Sequence, residues 1–106
     1  MTGAAVFAGR FASQPLVFAH LLDAADRRGL ALDLDHVEVI QGDPTKRLGH
    51  AFAPGDVAAL AAARGPDDTL VVVFPEALIP GARLFADTAL LRPLGTFRQI
   101  RKRSVA

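Results

Sequence analysis

The chain has 106 residues, 51% of them hydrophobic, which is enough for one modest core and too few for a large multi-domain enzyme. Twelve Lys and Arg against 11 Asp and Glu leave a net charge of +1, unlike a disordered acidic chain or a protein that wraps DNA. There is no cysteine, so disulfide scaffolds, cysteine nucleophiles and thiolate metal sites are excluded.

Met1 to Phe7 carries no Lys or Arg ahead of its apolar residues, unlike a signal peptide, and no run reaches the length of a membrane helix. A soluble, cytoplasmic protein with no membrane association is the expectation. Val6 and Phe7 open a strand that Gly9 and Arg10 close. Ser13 is placed to cap a helix with Pro15 in its first turn, and Phe18, Leu21, Leu22 and Ala25 recur at helical spacing on its inner side. Asp23 and Arg27 stand four apart on a wetter side, and Gly29 stops the helix, which runs from about Gln14 to Arg28.

A second strand is predicted from Asp35 to Ile40, with Val37 and Val39 on a dry face and His36 and Glu38 on a wetter one. Gln41 to Thr45 reads as a turn, and Lys46 to Phe52, which lacks a clear period, as a loop with local structure. Asp56 is placed to cap a short alanine-rich helix with Val57, Leu60 and Ala61 inward, ending at Arg64-Gly65-Pro66. Thr69 to Phe74 is valine-rich without alternation, as a central strand covered on both faces should be. Arg83 to Leu91 suits either a strand or a helix; Pro93 and Gly95 close it, and Thr96 to Ile100 forms a last strand. The expected fold is α/β: a single small layered domain over residues 1–100, a mixed sheet of about four strands with two or three helices, and a basic tail over 101–106.

His20, His36 and His50 are the residues able to bind a metal or exchange protons, but no short metal motif joins them, and a structural role is the commoner one. Neither a metal nor a cofactor is expected. Asp33, Asp35, His36 and Glu38 form the densest acidic patch; without the glycine and spacing of a calcium loop, it reads as a surface for a basic protein partner or as a solvated edge. Gly42 to Arg47 has a glycine turn followed by Lys46 and Arg47, but a phosphate loop needs further glycines and a Ser or Thr directly after the lysine. Asp67-Asp68 reads as a loop before the valine strand. The last 19 residues carry +5 and the rest −4, yet Phe97 is their one aromatic, so nucleic acid is the weaker reading of that basic end. Ser13 and Ser104 sit in no nucleophile elbow; His36 or His50 as a base with Glu38 or Glu76 as an acid is the remaining catalytic pairing.

The segment Phe7-x-Gly9-x-Phe11-x-Ser13 leading into a helix, with the later run Asp68 to Phe74, resembles small bacterial toxin-immunity proteins of mixed α/β type. That resemblance, which covers a small part of the chain, implies a protein that binds and blocks a partner. The leading expectation is therefore a non-enzymatic protein-binding module, inhibitory or immunity-like, contacting its partner through Asp33, Asp35, His36 and Glu38 or through Lys46, Arg47 and His50. The alternatives are a small enzyme or ligand-binding protein with a cleft by Phe74, Pro75 and Glu76, and a nucleic-acid-associated protein using Arg98, Arg101, Lys102 and Arg103. A homodimer packed through the alanine-rich helix is a further expectation.

Overall fold

A computed structural model describes residues 3–27, 29, 32–74 and 90–98. The elements run β1 (Gly3–Gly9), α1 (Gln14–Arg27), a single 3₁₀ turn (Leu34–His36), β2 (Val37–Gln41), α2 (Thr45–Leu48), α3 (Pro54–Arg64), β3 (Thr69–Val73) and β4 (Leu91–Arg98). The four strands form one sheet in the order β2-β3-β1-β4. This is the expected α/β domain of about four strands with three helices, with one difference: every pairing is antiparallel, not mixed. β1 and β2 do run in the same direction, as strands joined through a helix should, but β3 inserts between them as in a split β-α-β unit. The segments 75–89 and 99–106 lie outside the described residues, and with them the expectations for Pro75, Glu76, Arg83 to Ala89 and the basic tail.

Alternate residues of each strand face opposite sides, and both sides are dry. One side carries Ala5, Phe7, Val37, Val39, Val71 and Val73 against Val17, Leu21, Ala24 and Ala25 of α1. The other carries Ala4, Val6, Ala8, Ile40, Leu70 and Val72 against Leu48 and Phe52 of the α2 region and Val57 and Leu60 of α3. β3 is buried at all five positions, which explains its unbroken valine run. The wetter face expected for β2 is wet only toward Glu38, since Ile40 on the same side is 1% exposed.

Several sequence expectations shift in register. The buried stripe of α1 is Val17, Leu21, Ala24 and Ala25, and Leu22 is 46% exposed, because the sheet meets the helix about a fifth of a turn from the face chosen by periodicity. The Asp23–Arg27 pair forms as expected, at 2.9 Å. His36 belongs to the 3₁₀ turn rather than to the strand. α3 starts at Pro54, with Ala53 as its cap, so Asp56 lies in the first turn and not at the cap; proline fits there because its missing N–H would have no partner. The local structure expected in Lys46 to Phe52 is α2, which covers Thr45–Leu48, and the turns after it bury Ala51 and Phe52.

Pro93 and Gly95 lie inside β4 instead of closing it. Val6 pairs with Gly95 and Phe7 with Pro93, so Leu94 is an extra residue in a bulge, and Gly95 takes the φ of +123° that this requires. Among the described residues no strand pairs with the outer side of β4, and an edge strand tolerates both residues.

The displaced face of α1 has a direct consequence. Leu21→Ala is expected to cost about 2–5 kcal/mol, and its neighbour Leu22→Ala to stay within about 0.5 kcal/mol of wild type. Urea unfolding midpoints of the two variants check this; comparable losses would return Leu22 to the core.

Candidate functional site

Three places in the fold gather chemistry: the turn from β2 into α2, the loop end of the sheet around Asp67 and Asp68, and the outer face of α2 and α3. At the first, Gly42 adopts φ +83° and Asp43 Oδ1 accepts from the Thr45 N–H at 3.0 Å and from Thr45 Oγ1 at 2.7 Å. Those bonds hold the Asp43 carboxyl below its ordinary pKa. They also use the N–H that a phosphate would need, and Arg47 is turned away from the turn. Its Nη1 donates to Val39 O at 3.2 Å, and its Nη2 lies 3.4 Å from Glu38 Oε1.

The acidic patch is correspondingly less free than its sequence suggests. Glu38 is paired with Arg47. Asp33 caps the 3₁₀ turn by accepting from the Asp35 N–H at 3.0 Å, and its Oδ2 lies 3.8 Å from His36 Nε2. His36 and Glu38 are not placed as a base and an acid around a common space: each has its own charged neighbour. His20 leans on the Phe11 ring with centroids 5.8 Å apart, and His50 is an exposed residue of the turns after α2. Among the described residues no group of three or more His, Asp or Glu is placed to hold a metal ion, and no helix is long and apolar enough to cross a membrane.

At the loop end of the sheet the two aspartates divide the work. Asp68 Oδ1 accepts from Thr69 Oγ1 at 2.7 Å and from the Phe11 N–H at 3.2 Å. Gln41 Nε2 closes the ring by donating to Phe11 O at 3.0 Å and to Thr69 Oγ1 at 3.2 Å. This network joins the ends of β1, β2 and β3 around Thr69, which is fully buried. Asp67 turns outward to two cations, Arg10 Nε at 3.4 Å and Arg92 Nη2 at 3.1 Å. Arg92 Nη2 also donates to Ala63 O and Arg64 O, placing a cation on the last carbonyls of α3. Neither arginine was singled out in sequence for this place, because the contact partners are far apart along the chain.

The third place is a groove of about 530 Å³ lined by Thr45, Gly49, Phe52, Pro54, Val57, Ala58 and Ala61. No lining residue is charged. α2 presents Thr45 and Gly49, one turn apart, and α3 presents Pro54, Val57, Ala58 and Ala61 on one side. Phe52 forms part of the floor, fixed below by the buried cluster and edge-on to Phe97 at 6.4 Å. Thr45, Gly49, Pro54 and Ala58 are exposed, so the groove is open to solvent. Part of the expected contact segment, Lys46 to Phe52, thus forms one wall; the other comes from the alanine-rich helix, whose Ala61, expected inward, lines the groove instead.

The lowered pKa of Asp68 arises first from the Thr69 hydroxyl and then from the Phe11 N–H. The unfolded chain then binds a proton near the ordinary value of 3.8 while folded Asp68 stays charged. The stabilisation is complete above that value and is lost as pH falls through it toward the lower, folded pKa. Asp68→Asn keeps an acceptor oxygen and removes the titration, so its melting temperature should fall less steeply than wild type below about pH 4. Thermal melts across this range test it; identical acid slopes would show that Asp68 does not pin the strands.

No protein-family model, no curated protein and no solved structure matches the chain, so its function is argued from these three places alone.

Proposed function

We propose that this chain is a non-enzymatic binding module that receives apolar side chains of a protein partner in the groove between α2 and α3. The carrying observation is the groove itself: about 530 Å³, open, with apolar and small residues on both walls. That volume lies within the range of binding pockets, and Gly49, Ala58 and Ala61 leave room for a partner to approach the helix backbones closely. Exposed apolar concavities of this kind mark interaction sites on proteins. The groove also lacks catalytic equipment, because its one hydroxyl, Thr45 Oγ1, donates to Asp43.

Charge at the rim narrows the partner. Lys46 is exposed on α2 and makes no ion pair among the described residues, and exposed His50 follows. A segment with two or three large apolar side chains flanked by carboxylates fits this surface, the acid speeding encounter and the apolar side chains supplying affinity. This reading places the contact at the groove rather than at Asp33, Asp35 and Glu38, of which Asp33 caps the 3₁₀ turn and Glu38 pairs with Arg47. Blocking a partner's own site, in the manner of an immunity protein, is one outcome such binding would have.

Ala58→Glu places a charge in the groove at an exposed helical position, where glutamate is well tolerated by the helix. Leu22→Glu, on the exposed face of α1, serves as the control. In capture from lysate with each protein immobilised, a partner held by wild type and Leu22→Glu should be weakened about tenfold or more by Ala58→Glu, a loss of about 1.4 kcal/mol. Equal retention by all three proteins would eliminate the groove. Native mass spectrometry of the same samples separates a second reading favoured by the groove's volume: a small apolar ligand would appear as a fixed added mass on wild type and be missing from Ala58→Glu.

A further inference from the structure

We infer that the loop end of the sheet holds a second binding site, for the oxyanion of a small carboxylate or phosphate ligand. A cavity of about 260 Å³ lies there between Gly9–Arg10 and Leu90–Arg92, with Asp67 on its wall. It is separate from the α2–α3 groove and shares no lining residue with it. Two guanidinium groups, of Arg10 and Arg92, line it, and Asp67 lies between them. Asp68 does not line the cavity; its carboxylate accepts from Phe11 and Thr69, and its charge also acts on Arg10.

The donors left over make this more than a structural ion pair. Arg10 reaches Asp67 through Nε, so neither of its terminal NH₂ groups has a partner among the described residues. Arg92 makes its contacts to Asp67, Ala63 O and Arg64 O through Nη2 alone, leaving Nη1 and Nε unpaired among those residues. Asp67, with a side chain 19% exposed, pairs with both guanidinium groups and hydrogen-bonds Arg92, and the side chains of Arg10 and Arg92 remain 67% and 51% exposed for a ligand to reach. A pair of oriented guanidinium groups with free N–H donors matches the geometry of carboxylate and phosphate oxygens. Gly9 makes the cavity wall possible: a Cβ there would stand 2.5 Å from Leu90 O, forcing the start of β4 away from Arg10.

The test uses the whole chain, with inorganic phosphate and succinate as probes at ionic strength held constant by chloride. Bound at about ten times its dissociation constant, a probe should raise the melting temperature by on the order of 5–10 °C. Arg10→Gln should lose the shift and weaken binding by calorimetry at least tenfold, while melting within a few degrees of wild type without probe, because the exposed pair it breaks contributes little stability. Arg10→Lys, which keeps the charge and loses the fork, should fall between the two. A shift with phosphate alone assigns a phosphoryl ligand, one with succinate alone a carboxylate, and one with both an oxyanion in general. No shift with either probe, or equal shifts in wild type and Arg10→Gln as general salting-out produces, overturns the site.

Discussion

Five consecutive residues, Thr69–Val73, must be kept from water on both faces of the sheet, and the rest of the molecule is arranged around that demand. One helical layer cannot meet it. α1 covers the side of Val71 and Val73, and a second layer has to cover the side of Leu70 and Val72. The chain supplies that layer inside the connection between β2 and β3. These are antiparallel neighbours that a two-residue turn would be able to join. Instead residues 42–68 leave the sheet, lay α2 and α3 over it and return. The groove therefore sits in a segment that chain closure alone does not require, the kind of place where a scaffold carries its function.

The same sheet has two edges, and each is blunted by different chemistry. On β2, the carbonyl of Val39 accepts from Gln14 Nε2 at 3.4 Å and from Arg47 Nη1 at 3.2 Å, so side chains occupy an acceptor that another strand would use. On β4, Pro93 offers no N–H and the bulge at Leu94 breaks the regular spacing, with Arg92 and Arg98 adding charge. Strand addition is thus discouraged at both ends of the sheet. Association through helices is not, which agrees with a binding surface on α2 and α3 rather than on a strand.

How much of this was legible in the sequence depends on the distance over which each feature is determined. The valine run of β3 announces its burial without reference to any other residue, and α1 declares itself through Pro15 and its apolar period. α2 does not, because Thr45–Leu48 is a single turn and a period needs more than one to be seen. β4 was masked by Pro93 and Gly95, which break a central strand and are accommodated at an edge bulge. Charge was the least legible property. Glu38 and Arg47 are nine positions apart and belong to a strand and a helix, so the acidic patch looked free when its key member was already paired. The Arg10–Asp67–Arg92 cluster joins three segments that only the antiparallel order brings together. The apolar outer side of α3 was readable in composition, but its alanines are as consistent with contact to the sheet as with the wall of a groove.

The walls of the groove are held in place by contacts within the fold. α3 is held to the sheet by Val57 and Leu60, and its last carbonyls are held by Arg92, which Asp67 fixes in turn. α2 is held by buried Leu48 below, by Asp43 at its start and by Arg47 across the β2 edge. Each wall is thus tied to the sheet, α3 through Val57 of the groove itself and through Leu60 and Arg92 beyond it. A binder meeting two walls already in position avoids most of the cost of ordering loops on association, so even a modest apolar contact yields affinity. Arg92 belongs to this support and also lines the cavity at the loop end, so one residue links that cavity to the helix that forms a wall of the groove.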